Sequence, residues 1–250
     1  VGDVIADLTH YGHCRRLAPE DSTVPVFETV ETRVTAGGAG RVYRQLRELA
    51  STHTYLAAYL GNDDNVVALR KALDASAAPS SMLLTRDKRS TPTKVRFVTE
   101  SGLAFRHDLR YEFSLYGEPH PLFTDPDGPD VYSRATVWLT ALPYTETVVV
   151  AVADYTKGAL SSYLWQPVFE ELRRRRGLVV YDMPAGLIQQ GVLLPVERNR
   201  LVVKMNLEAA RQLLVSRGAA AASYVNSVVR NNPASKSVFA LSAYPPSAES

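Results

Sequence analysis

The chain has 250 residues, 46% of them apolar, with 28 basic residues against 26 acidic ones and a formal charge of +2. That length suits one α/β domain with an appendage or two small domains, and the apolar content is enough for a sizeable core. The single cysteine, Cys14, rules out an intrachain disulfide framework and fits a reducing compartment, while the longest apolar run, residues 148–153, is far too short to cross a bilayer. The basic residues are unusual in kind, since 22 of the 28 are arginine. Arginine suits an RNA or other anionic partner, and a GC-rich genome produces the same bias without functional meaning.

Residues 1–7 (Val-Gly-Asp-Val-Ile-Ala-Asp) read as a buried strand that begins at the first residue. A natural chain would normally have something before it, and a removed targeting segment is one expectation; no secretory pattern is visible. Residues 8–16 alternate as a strand, 17–25 as a loop, and 26–35 as a further strand. These could form a small sheet beside the main domain. Three glycines in four positions, Gly37, Gly38 and Gly40, then lead into an amphipathic helix over 42–50. Such a stretch either cradles an oxygen-rich ligand at a helix N-terminus or lets a helix pack close to a sheet.

Further along, 53–60 reads as a strand and 61–64 as a turn into helix 65–74, with acids suited to its N-terminus. Residues 91–109 read as a hairpin turning near Ser101-Gly102, and 123–129 as a loop. Two apolar runs, 135–142 and 147–153, suit buried parallel strands. Helix 159–175 is expected to end in Arg173, Arg174, Arg175 and Arg176, closed by Gly177. Strands follow at 178–181, 201–204 and 238–241, with helices at 207–217 and 219–230. Alternating strands and helices imply a mainly parallel sheet with helices on both faces. The end, from Tyr244, reads as a loop or tail.

Several of these segments, in order, resemble the ribokinase-type (PfkB-like) carbohydrate kinases, most closely the bacterial heptose-phosphate kinase branch. The matching pieces are residues 1–7, Ala36-Gly-Gly-Ala-Gly40, Tyr59-Leu-Gly-Asn-Asp-Asp64, Thr91-Pro-Thr-Lys-Val-Arg96, Phe105-Arg-His-Asp108 and Asp154-Tyr-Thr-Lys-Gly-Ala-Leu160. Weaker ones are Asp182 and Asn206-Leu-Glu208. The resemblance implies one α/β domain, a ribokinase-like three-layer sandwich with a mainly parallel central sheet, incomplete at its C-terminal end. It also implies a small β lid over residues 8–35 and 91–110 that often pairs two subunits. By the same resemblance Asp3, Asp7, Gly37, Gly38 and Arg41 lie at the sugar site. Arg106 and Asp108 would reach in from the lid, and Asp154, Lys157 and Asn206 would lie on the nucleotide and phosphate side.

Three departures bear on activity. The family's double-glycine motif continues to an Asn that holds the sugar, where this chain has Arg41, a larger group that donates and cannot accept. The family's Asn-x-x-Glu motif becomes Asn206-Leu207-Glu208-Ala209, without the acid at the expected spacing. Nothing in residues 210–250 matches the Gly-Ala-Gly-Asp motif that supplies the base and the anion hole. A missing base typically costs on the order of 10²–10⁴-fold, and lost anion donors add a comparable penalty.

Other signals have plain alternatives. Asp7 is either a ligand group or a turn residue, and Asn206 either a helix N-cap or a surviving ligand. His10, His13 and Cys14 lack a nearby fourth metal ligand. Arg173–Arg176 is either a solvated helix end or a contact for RNA or an acidic protein. The expectation drawn from these departures is a catalytically inactive kinase-like subunit of a larger intracellular assembly with protein or RNA partners, no cofactor and no membrane. A mitochondrial ribosome or other ribonucleoprotein is its suggested setting, and the cytoplasm the other. The alternative is an active ATP- and Mg²⁺-dependent sugar or sugar-phosphate kinase whose C-terminal catalytic part lies outside these residues. A sensor that binds sugar or nucleotide without chemistry is a third.

Overall fold

In the computed structural model, which describes residues 1–49, 54–74, 82–86, 90–109, 131–155, 157, 166–182, 200–206 and 237–241, the alternation that opens the chain is one strand, not two. Strand β1 (Val4–Leu17) runs unbroken from buried Val4 to exposed Leu17. It pairs antiparallel with β2 (Pro25–Gly38) and parallel with β5 (Thr93–Thr99), which folds back on β6 (Gly102–Leu109). The resulting sheet has the order β2-β1-β5-β6 and takes in most of both segments expected to form a lid.

Because strand side chains alternate, this sheet has two chemically distinct faces. In register across β1, β5 and β6, Asp7 stands beside Lys94 and Lys94 beside Asp108, with Arg96 and Arg106 in the next row. The opposite face carries His10 stacked on Phe97, with Phe27 and Phe105 around the same ring. A hairpin was expected at 91–109, and its turn falls at Glu100-Ser101, with Gly102 at φ 110°.

The chain separates into two compact units, one of residues 3–128 and one of residues 1–2 with 129–250. In the first, helix α1 (Ala39–Leu49) starts inside the glycine stretch, three residues earlier than its apolar spacing suggests. Strand β3 (Leu56–Leu60) is buried along its length and pairs with β4 (Met82–Arg86), an element the sequence reading does not contain. Helix α2 (Asp64–Asp74) buries Val66, Leu69 and Leu73 at helical spacing. Asp63 caps it, accepting from the Asn65 N–H at 3.0 Å while its other oxygen accepts from the Thr91 N–H at the entry to β5.

In the second unit β7 (Val149–Ala153), β8 (Leu178–Asp182) and β9 (Leu201–Asn206) are parallel, and β10 (Ser237–Leu241) closes the edge antiparallel, in the order β10-β9-β8-β7. Of residues 135–142, expected as a strand, all but the last belong instead to helix α3 (Val131–Ala141). The exposures give the reason. Ala135 and Leu139 are buried while Val137 between them is 67% exposed, which is a helical period and not an alternation. The β-branched residues in this run mimic a strand.

Helix α4 (Gln166–Arg174) buries Val168, Phe169 and Leu172. Its end corrects a second expectation. Gly177 donates to Leu172 O at 2.8 Å and Arg176 to Arg173 O at 3.1 Å, the two bonds of a Schellman motif. The residue in the left-handed conformation is therefore Arg176, at φ 53°, and not Gly177. The expected loop at 123–129, helices 207–217 and 219–230, and residues 159–165 of the expected helix lie outside the described residues. Among the described residues no helix is long and apolar enough to cross a membrane.

Candidate functional site

The glycine stretch is shaped by what lies against it. A Cβ at position 37 would overlap Asp7 Oδ2, and one at position 38 would overlap the Asp3 carbonyl oxygen. Gly38 also has φ 56°, so the turn from β2 into α1 needs glycine there for conformation as well as space. The first helical N–H, that of Ala39, donates to Asp3 O at 2.8 Å. Of the two readings of this stretch, close packing accounts for Gly37 and Gly38 directly, since both positions are filled by this chain's own atoms.

Asp3 and Asp7 are 2% and 6% exposed. Asp7 Oδ1 accepts from Arg96 Nη1 at 2.9 Å, and Oδ2 lies 4.0 Å from Arg41 Nη2. Arg41, expected at the sugar site, is thus beside one of the acids assigned there. Lys94 occupies the same face, where burial lowers its pKa against the opposing pull of the Asp7 carboxylate. Arg106 and Asp108 form a two-bond pair on β6, Nε to Oδ1 at 2.7 Å and Nη2 to Oδ2 at 2.6 Å. That hydrogen bond raises the Arg106 pKa. Arg41, Lys94, Arg96 and Arg106 thus stand near Asp7 and Asp108, and the paired Arg33 and Glu31 share the same face farther along β2.

The residues expected on the phosphate side belong to the second unit. Asp154 follows β7, is 6% exposed, and accepts from Tyr181 Oη at 3.0 Å. At the end of β8, Asp182 Oδ2 pairs with Lys204 Nζ at 2.5 Å. Lys157 is half-buried, and Asn206 ends β9 in register with Ser237. The helix that Asn206 was expected to cap falls outside the described residues. Ligand groups at the C-terminal ends of parallel strands are the usual arrangement in open α/β sheets. Among the described residues no three of His, Cys, Asp and Glu stand together as a metal site. The acids at these strand ends are held by Tyr181 and Lys204, so by themselves they do not fit a divalent ion.

The arginine run is split. Arg173, Arg174 and Arg176 are exposed, but Arg175 is buried and unavailable to a partner. Its Nε donates to Glu171 Oε1 at 2.9 Å, and its Nη groups donate to the carbonyls of Thr140, Leu142 and Pro143 at 3.4, 2.8 and 3.2 Å. The helical position of residue 175, one turn beyond Glu171, turns it inward.

No family model matches the chain. Bifunctional protein HldE of Granulibacter bethesdensis is 30% identical over 187 residues, covering 75% of this chain and 35% of that protein. Its counterpart in Caulobacter vibrioides is 30% identical over 161 residues, covering 64% of this chain and 30% of that protein. A candidate ribokinase from Agrobacterium tumefaciens superposes with a TM-score of 0.53 at 12% identity, over 92% of this chain and 65% of that one. Arabidopsis thaliana ribokinase, solved with ribose and ATP, gives a TM-score of 0.51 at 12% identity, over 92% of this chain and 67% of that one. The chain belongs to the ribokinase-like carbohydrate kinase family. Its α/β fold is ribokinase-like, as the motif order implies, and it spans about a third of the length of the curated relatives it matches.

The sequence reading did not pick out Arg96 or Lys94 as site residues, nor Tyr181 and Lys204 as partners of the strand-end acids. Asp7 and Arg96 are 89 residues apart, and only the parallel pairing of β1 with β5 brings them together. The Glu171–Arg175 spacing of four was visible, since such pairs face each other on a helix.

Proposed function

We propose that this carbohydrate kinase-like chain is part of an ATP-dependent sugar or sugar-phosphate kinase of the heptose-kinase kind. On this reading the aspartate base and the anion hole, which residues 210–250 do not match, come from outside these 250 residues. The observation that carries the proposal is the coincidence of family and site. A chain with ribokinase-like relatives along most of its length places the buried Asp7 carboxylate against the double glycine, under a sheet rich in hydrogen-bond donors. Asp3, Asp7, Gly37, Gly38, Arg41, Arg106 and Asp108 form the sugar side of this reading, and Asp154, Lys157 and Asn206 the phosphate side. ATP and Mg²⁺ belong to the proposal too, Mg²⁺ supplying charge neutralisation at the transferred phosphoryl group; no step is assigned to it here, because the described acids do not fit it alone.

The test is ADP release by the full-length gene product with ATP, Mg²⁺ and a panel of sugars and sugar phosphates. Turnover above background on at least one of them is expected. None on any would support the second reading, an inactive kinase-like binding subunit of a larger assembly. One observation favours that second reading: Arg41 lies against Asp7 where a polyol hydroxyl would need an acceptor. The curated relatives are bacterial and lend no support to a mitochondrial or ribosomal setting. For partners, Phe105, 60% exposed beside Phe97, supports pairing of two copies through the aromatic side of the lid sheet. The exposed Arg173, Arg174 and Arg176 support contact with an acidic protein or RNA surface.

A further inference from the structure

Near their C-terminal ends β7, β8 and β9 share a row of paired residues, Ala153 beside Asp182 and Asp182 beside Lys204. Paired residues share a face of the sheet. On that face Lys204 Nζ donates to Asp182 Oδ2 at 2.5 Å, with side chains 35% and 29% exposed. The preceding row, Val152 beside Tyr181, faces the other way. There the buried Tyr181 Oη donates to Asp154 Oδ2 at 3.0 Å. The two strand-end acids are thus drawn to opposite faces, each accepting from a neighbour, and they do not converge on one cation.

Among the described residues the charged groups at these strand ends are Asp154, Lys157, Asp182 and Lys204. Two acids and two bases balance, so position decides which sign a ligand meets. An ammonium has three N–H donors, and Asp182 takes one from Lys204. With a third of the side chain open to water, an anionic oxygen can reach the others. Ligands of open α/β sheets bind outside strand ends of this kind, and lysine serves phosphate there as a point charge.

We propose that Lys204 is a phosphate-binding residue, its ammonium steadied by Asp182 and holding a polyphosphate chain at the ends of β8 and β9, so that binding needs no metal ion held by the strand-end acids. The inference rests on the carbohydrate kinase reading and adds to it a residue for the nucleotide; it concerns binding and not the transfer step. A nucleotide and free pyrophosphate offer lysine the same oxygens, so both are sources to be distinguished.

The experiment is calorimetric binding to the full-length gene product without sugar. The probes are ATP and pyrophosphate, each in EDTA and in excess Mg²⁺. The wild type should bind at least one of them in EDTA within about threefold of its affinity in Mg²⁺. Lys204→Met should weaken that binding about 10- to 100-fold, the worth of a charge-assisted hydrogen bond. Asp182→Asn keeps the ammonium and removes the charge that offsets it, and should bind at least as tightly as the wild type. Lys204→Arg keeps the charge and should recover most of what methionine loses; it also serves as the test if a melting curve shows that Lys204→Met does not fold. Dependence on Lys204 for ATP identifies a nucleotide, and dependence confined to pyrophosphate identifies the free anion. Wild-type binding that requires Mg²⁺, no change on removing Lys204, equal losses in Lys204→Met and Asp182→Asn, or neither probe bound would each overturn the inference. Binding in EDTA that depends on Lys204, without ADP release on any sugar, would sink the kinase reading and leave this one standing. ADP release by a Lys204→Met protein that binds ATP as the wild type does would do the reverse.

Discussion

Two carboxylates in this molecule sit between two arginines, and they do opposite things. Glu171 and Asp7 are both nearly buried, with side-chain exposures of 3% and 9%. Each has one arginine at 2.9 Å and a looser one beyond 3 Å, Arg174 at 3.3 Å and Arg41 at 4.0 Å. The difference lies in where the remaining guanidinium donors go. Arg175 is 0% exposed, lies over the Tyr144 ring at 4.3 Å, and spends its Nη groups on three carbonyls at the end of α3. Thr140 lies in the last turn of α3 and Leu142 and Pro143 follow it directly, so the pair ties the end of α3 to α4. Arg41 and Arg96 leave donors turned toward solvent, as a recognition surface requires. Burial of the arginine, not of the acid, separates a structural pair from one available for binding.

The largest test of that contrast is removal of the acids. Glu171→Ala strands a buried guanidinium and should cost roughly 3–5 kcal/mol in urea unfolding. Asp7→Ala leaves two arginines that can rehydrate, and should cost only about 1–2 kcal/mol. Equal losses would dissolve the distinction. A smaller change, Arg176→Gly, relieves a left-handed residue at the end of α4 and should raise stability by about 1 kcal/mol, whereas Gly38→Ala, which also meets the Asp3 carbonyl, should lower it.

The smallest effect is in pH. Lys94 has a folded-state pKa below its unfolded value, chiefly through burial, so the folded state binds fewer protons between the two values. Stability attributable to Lys94 therefore rises with pH through that window, up to the ordinary lysine value, and is lowest where the amine is charged in both states. Unfolding midpoints of wild type and Lys94→Met, compared from pH 7 upward, should converge as pH increases. A gap that widens would contradict the burial account.

Much of the fold was legible because its signals are local. The cap at Asp63, the turn before Gly102 and the apolar spacing of α2 each sit within a few residues of their effect. Residues 135–142 failed because threonine and valine favour extended backbone, and only packing of Ala135 and Leu139 on one side selects the helix. The end of α4 failed because glycine at 177 is the obvious left-handed residue, yet the hydrogen-bond count from Leu172 places that conformation one position earlier. At the site, Asp7, Gly37 and Arg41 could be read as a group from motif order. Their neighbours Lys94 and Arg96 could not, because strand pairing between β1 and β5 leaves no trace in either segment alone.

One consequence follows from the continuity of β1. Its first four residues are packed in the core and its last four are open to water, with no break where the one environment becomes the other. A stiff rod of this kind cannot fold at the boundary beside Asp7. Any rocking of the outer half must instead be taken up where the β1–β2 register slips, at Tyr11/Gly12 and Cys14/Arg16.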